Sequence, residues 1–131
     1  MPYEVSWTQD KRIIHCRLFG AFDLEMVNEA SNKVEVFINE GQPLVHLIVD
    51  MEGLQSFPTN VTKLNAMNQY LKHPNMGWVI VVGGSSLTKF LVNVLSQIIK
   101  FRVAQRATMS EALDFLRKQD STLSAAPASG A

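Results

Sequence analysis

The sequence predicts a mixed α/β fold: a five-stranded, mostly parallel sheet with four helices, in the order β-β-α-β-α-β-α-β-α. Three observations predict it. Leu44–Asp50 (Leu-Val-His-Leu-Ile-Val-Asp) is a short, almost wholly apolar run set between Gly41 and Pro43 before it and Glu52-Gly53 after it. That is the pattern of a strand covered on both faces by crossover helices. A second such run, Trp78–Val82, follows after a stretch of helical spacing, and two alternating segments joined by a short polar link lie ahead of both.

Tyr3, Val5 and Trp7 alternate with Glu4, Ser6 and Thr8, and after the polar turn Gln9-Asp10-Lys11 a second alternation runs through Ile14, Cys16 and Leu18. A link this short makes the pair an antiparallel hairpin, closed by Gly20. Asp23 is placed to cap a helix, since its carboxylate accepts from free N–H groups of the first turn. Val27, Ala30, Val34, Phe37 and Ile38 follow at helical spacing until Gly41 and Pro43 stop the helix. Leu44–Asp50 is the central strand and Met51–Pro58 reads as a loop. Thr59 or Asn60 caps a second helix with Val61, Leu64, Met67 and Leu71 on one face, ended at His73-Pro74-Asn75. After Trp78–Val82, Gly83-Gly84-Ser85-Ser86 turns the chain into a third helix from Leu87 to about Phe101. Val103–Ala107, interrupted by Gln105 and Arg106, reads as an edge strand. Thr108 with Glu111 forms a capping box for the last helix. One domain over 1–119 is expected, and the Ser-, Ala- and Pro-rich residues 120–131 are expected to be disordered. Strand–helix–strand units cross over right-handed and make parallel neighbours, so the first strand is the antiparallel exception.

The chain has 131 residues, enough for one domain with a real core. Lys plus Arg number 12 and Asp plus Glu 12. That balance argues against nucleic acid as a partner, because phosphate binding needs a basic surplus. The single cysteine, Cys16, excludes an internal disulfide, and its alternation with Ile14 and Leu18 marks it as a small buried residue. No apolar run approaches the ~18–20 residues that span a bilayer, and Met1-Pro2-Tyr3-Glu4 opens no signal peptide. A soluble cytoplasmic protein without an integral membrane segment is expected.

The order of elements, with a hairpin ahead of three crossovers, resembles the STAS domain, in particular its SpoIIAA-like branch, whose fold is also compared with CRAL-TRIO lipid-binding domains. The residues that carry the resemblance are Leu44-Val45-His46-Leu47-Ile48-Val49-Asp50-Met51-Glu52-Gly53-Leu54 and the helix opening near Thr59. The family implies a non-enzymatic domain that acts by protein contact. Its anti-sigma-factor antagonists carry Asp-Ser-Ser-Gly at the start of the helix after this strand, and phosphorylation of one serine switches binding off. Here the matching stretch reads Pro58-Thr59-Asn60-Val61. One hydroxyl survives and the acidic residue does not, so no phosphorylation switch of that kind is expected.

Each candidate site has a structural alternative. Thr59, with Asn60, is an anion-site or phosphate-accepting residue at a helix start, or a plain N-cap. Asp50 and Glu52 are an acid–base pair, or turn and capping residues, and no nucleophile with an oriented base stands near them. Gly83-Gly84-Ser85-Ser86 cradles an anion on its backbone N–H groups, or is a tight turn with a serine cap. It lacks the Gly-Lys-Ser/Thr ending of a P-loop, and Lys89 comes later. This loop and Ser56–Asn60 both leave the C-terminal ends of strands, where open α/β sheets bind ligands. His15, His46 and His73 show no metal-ligand spacing, although His15 and His46 fall on paired strands. No cofactor and no metal are expected.

The third helix carries the strongest remaining signal. At ~100° per residue its apolar positions sweep roughly 200°, against the little more than ~100° that packing on a sheet requires. Val92 and Ile99 lie at one margin and Phe90 and Phe101 at the other. The excess goes to a neighbouring helix, a second subunit or an apolar ligand. The first expectation is a self-associating STAS-like regulatory domain, a homodimer with Phe90, Leu91, Val92, Val94 and Ile99 at the contact. The second is a carrier of a small apolar ligand, with Phe90, Leu91, Val94 and Met67 lining its pocket. A hydrolase using Asp50 or Ser86 is the third, and Ser86 lacks the Gly-x-Ser-x-Gly elbow.

Overall fold

The computed structural model describes residues 3–57, 71–99 and 102–123. Five strands form one sheet in the order β1-β2-β3-β4-β5. They are β1 (Tyr3–Gln9), β2 (Ile13–Ala21), β3 (Val45–Ser56), β4 (Met76–Val82) and β5 (Val103–Arg106). The hairpin β1–β2 is antiparallel, and β2–β3, β3–β4 and β4–β5 are parallel. The fold class is the one the sequence predicts.

Three helices stand among the described residues: α1 (Leu24–Glu40), α2 (Ser86–Ile98, the third helix expected from the sequence) and α3 (Met109–Gln119). The helix predicted after Thr59, with Met67, falls on 58–70, outside the described residues, as does Phe101. All three observed helices begin at side-chain caps. Asp23 accepts from the Met26 N–H at 2.9 Å, and Ser85 and Thr108 accept from the Thr88 and Glu111 N–H groups at 3.2 Å.

Alternation along the strands divides the core in two. Ile14, Cys16, Leu18, Leu47, Val49, Val79 and Val81 point to the first face, where Val27, Val34 and Ile38 of α1 and Leu91 and Leu95 of α2 cover them. Ile13, Ile48, Ile80 and Val82 point to the second face, under Ala112 and Leu116 of α3. With only α3 on this face among the described helices, the β1–β2 side of it is left largely open, and Glu4, Ser6, Thr8 and Arg17 are exposed.

Two expectations are corrected. The central strand does not end at Asp50: it runs Val45–Ser56, so Met51–Ser56, expected as loop, is strand. Phe19, Gly20 and Ala21 pair with Gly53, Leu54 and Ser56 across register shifts. The polar residues belong to an exposed half-strand, since Glu52, Gly53, Gln55 and Ser56 face solvent while Met51 remains buried. The packed chain also does not stop at Gln119. Leu123 is fully buried against the α3 cluster, and the Leu123 N–H donates to the Asp120 carbonyl at 3.1 Å. A single leucine at the right reach docks a segment whose composition otherwise offers little to bury.

Candidate functional site

The second face gathers the chemistry-bearing side chains. His15 on β2 and His46, Asp50 on β3 share it, because residues two apart on a strand line one face. The two histidines are not partners. His46 lies opposite Ile13 and His15 opposite Ile48, and each takes a carboxylate instead.

His15 Nε2 lies 2.9 Å from Asp50 Oδ2, and Asp50 Oδ1 accepts the Glu52 N–H at 3.1 Å. An ionised carboxylate only accepts, so the imidazole proton sits on Nε2. Asp50 thus meets the backbone of Glu52 rather than its side chain, and Glu52 is exposed. The geometry gives Asp50 a mid-strand pairing role in place of the turn predicted for it.

The second pair has a fully buried histidine and more partners. The Trp78 N–H donates to His46 Nδ1 at 2.9 Å, which leaves the proton on Nε2, and Nε2 donates to Asp120 Oδ2 at 2.8 Å. The same oxygen accepts from Arg12 Nη2 at 2.8 Å, and Arg12 Nε reaches the Leu44 carbonyl at 3.1 Å. Asp120 Oδ1 accepts from the Thr122 N–H at 3.0 Å and from the Thr122 hydroxyl. Gly77 makes room for the ring, because a Cβ there would sit 2.5 Å from His46 Nδ1. Burial lowers the His46 pKa, its bonds to Asp120 pull the other way, and the charges of Arg12 and Arg102 add to the lowering. For Asp120, burial pushes the pKa up, but the hydrogen bonds from Thr122 and His46 outweigh it and bring the carboxyl down to about 2. These groups, with Leu44, Trp78 and Arg102, line an open cleft of about 380 Å³ where β3 and β4 begin. Asp120 lies 74 positions from His46, so no local motif announces the pair.

The loop between β4 and α2 is built as a structural turn. Gly83 holds φ +139°, and a Cβ there would sit 2.7 Å from Thr88 Oγ1, so glycine is required. Its N–H donates to the Arg106 carbonyl at 3.0 Å and its carbonyl accepts from Gln105 Nε2 at 3.0 Å. Ser85 is occupied as the cap of α2, while Gly84 and Ser86 are exposed. Ser56 is exposed, and its carbonyl accepts the Phe22 N–H at 3.0 Å. Thr59 and Asn60 lie outside the described residues, so Ser56 and 83–86 cannot be joined to them as one site.

On α2, Leu91 and Val94 are buried in the first core rather than presented at a surface. Phe90, Val92 and Ile99 are half-buried and pack against that core, so both margins of the apolar arc turn partly inward. An apolar cavity of about 30 Å³ lies between α1, the sheet and α2, lined by residues including Cys16, Val34, Phe57 and Leu91. Burial, followed by the Asp50 charge, pushes the Cys16 thiol up to about 12, which leaves it unreactive at neutral pH. Among the described residues no cluster of three or more His, Cys, Asp or Glu is placed to hold a metal ion, and no helix is long and apolar enough to cross a membrane.

No protein-family profile matches the chain, and no curated protein matches it in sequence. Solved structures do match in fold. The anti-sigma factor antagonist SpoIIAA in its unphosphorylated form aligns with a TM-score of 0.59 and 19% identity over 88% of this chain and 96% of that one. The Bacillus cell fate determinant SpoIIAA in its phosphorylated form gives 0.57 and 18%, over 88% and 99%. A protein of the DUF3478 family with a SpoIIAA-like fold, from Shewanella loihica PV-4, gives 0.62 and 16%, over 87% and 91%. The chain has a SpoIIAA-like fold, as its order of strands and helices predicts.

Proposed function

We propose that this protein is a STAS-type regulatory domain that works by protein contact and associates with itself. The observation that carries the reading is the uneven cover of the sheet. α1 and α2 close the first face, whereas the second face has only α3 among the described helices and leaves the β1–β2 hairpin open to a partner. The polar groups that a catalytic reading would need are engaged elsewhere. Asp50 holds His15 and a backbone N–H, Ser85 caps α2, and Asp120 holds Arg12 and His46. The SpoIIAA-like fold supports the same reading.

The carrier alternative needs space. Pockets that enclose a drug-sized ligand measure ~300–1,000 Å³, and the apolar cavity under α1 and α2 measures about 30 Å³. Multi-angle light scattering at tens of micromolar tests the self-association. A mass of twice the 14.6 kDa chain is expected, and a mass of one chain throughout rejects it.

A further inference from the structure

Sheet edges are the places where a strand accepts another strand, because one row of its backbone N–H and C=O groups is unpaired. The two edges of this sheet differ. β5 has four residues, and one of its backbone carbonyls, that of Gln105, is occupied by Arg106 Nη1. β1 has seven residues, Tyr-Glu-Val-Ser-Trp-Thr-Gln, with no proline, no lysine and one charge, Glu4. Beside it runs an open groove of about 650 Å³, lined by Tyr3, Glu4, Val5, Ser6 and by Lys33 of α1. Farther along the same helix, Phe37 packs on Trp7 with ring centroids 5.2 Å apart. Val36, one turn beyond Lys33, is 52% exposed, the one large hydrophobic so exposed among the described residues.

We propose that β1 is the self-association surface and that its occupant is β1 of a second copy, added antiparallel across a two-fold axis at Ser6 to give a continuous ten-stranded sheet. The inference rests on the self-associating part of the proposed function and adds where the contact lies. The strand is complementary to itself in this register. All seven residues pair: Ser6 with Ser6, Val5 with Trp7, Glu4 with Thr8, and Tyr3 with Gln9. Val5 and Trp7 both pack toward the first core, so they meet as an aliphatic–aromatic cross-strand pair. Glu4 meets a threonine, so no like charges face each other. A seven-residue strand pair alone falls short of the ~1,200 Å² of a stable interface, and the flank of α1 with Lys33 and Val36 extends the contact.

Cysteine cross-linking tests the register. Ser6 is exposed and Cys16 is buried, so Ser6→Cys supplies one accessible thiol. At the axis the Cβ atoms of the two substituted residues stand about 4.5–5.5 Å apart, next to the ~3.5–4.5 Å of a disulfide, and mild oxidation is expected to link most chains in pairs. Thr8→Cys, equally exposed, controls for collision. Its two copies stand four residues apart along the strands, roughly 13 Å, and should link far less. Ser6→Lys places like charges at the axis and is expected to weaken dimerisation at least about tenfold with an unchanged circular dichroism spectrum. Three outcomes overturn the proposal. If Ser6→Cys links no better than Thr8→Cys, the register is wrong. If Ser6→Lys leaves a wild-type dimer intact while Val92→Asp yields a folded monomer, the contact lies on α2 and self-association survives. If the wild type is monomeric, this inference and the self-association it rests on fail together.

Discussion

The two histidine–aspartate pairs lie on one sheet face and use the same atoms at nearly the same distance, yet they sit in different surroundings. His15–Asp50 spans neighbouring strands at the bare part of the face, and the His15 side chain is 23% exposed. His46–Asp120 ties the central strand to the segment after α3, and the His46 side chain is 1% exposed. Water reaches the first pair at the His15 imidazole, while Asp50 is buried and also holds the Glu52 N–H, so losing the imidazole leaves the carboxylate one partner. In the second, the His46 ring is held between the Trp78 N–H and Asp120 and is buried, so an imidazole nitrogen left alone there bears its full desolvation cost, whereas Asp120 and Arg12 also meet the open cleft. Pair chemistry therefore does not identify a site. Exposure of the imidazole, 23% in one pair and 1% in the other, sets how much the same bond contributes.

The widest expected gap comes from the C-terminal segment. Truncation after Gln119 removes the buried Leu123 and strands His46 and Arg12 without their carboxylate. A loss of about 3–5 kcal/mol, roughly 10–20 °C in Tm, is expected in thermal melts. Removing only 124–131, whose composition offers little to bury, is expected to leave Tm unchanged. Equal melts for both truncations would contradict a structural role for the His46 pair.

The side chains themselves give a smaller contrast. His46→Leu leaves the Trp78 N–H and Asp120 without their partner and should cost about 2–3 kcal/mol by denaturant unfolding. His15→Leu should cost less, about 1 kcal/mol, because the imidazole is partly exposed and Asp50 keeps the Glu52 N–H. Similar losses for both would erase the distinction between the two pairs.

Acid gives the finest test. The folded-state pKa of His46 is below its ordinary 6.5, so the unfolded chain binds more protons and stability falls as pH drops below about 6.5. Asp120 is held at about 2 against an ordinary 3.8, so its contribution is complete above that ordinary value and is lost between about pH 4 and 2. Denaturant midpoints from pH 7.5 to 5 should therefore decline in the wild type and decline less in His46→Asn. An unchanged slope in the variant would assign the acid sensitivity to other groups.

Much of the fold is legible in the sequence because it is written locally. The hairpin, the apolar strands and the caps at Asp23, Ser85 and Thr108 each follow from residues within a turn of one another. The sequence makes β3 look short because Glu52-Gly53 carries turn chemistry, and only its pairing with Phe19–Ala21 keeps it extended. The His–Asp pairs are not legible. Proximity in the chain sets Asp50 beside Glu52, and strand pairing sets His15 beside His46. The true partners are 35 and 74 residues apart and are brought together by strand order and by one buried leucine. The apolar arc of α2 is legible as excess, but not that Phe90, Val92 and Ile99 turn partly into the core.

A domain whose described residues enclose an apolar cavity of about 30 Å³ between α1, the sheet and α2 is expected to act through its surface. Native mass spectrometry of freshly purified protein tests this most directly, because it reports subunit number and retained ligand together. Two 14.6 kDa chains with no added mass are expected. A single chain carrying one small molecule in stoichiometric amount would contradict that expectation.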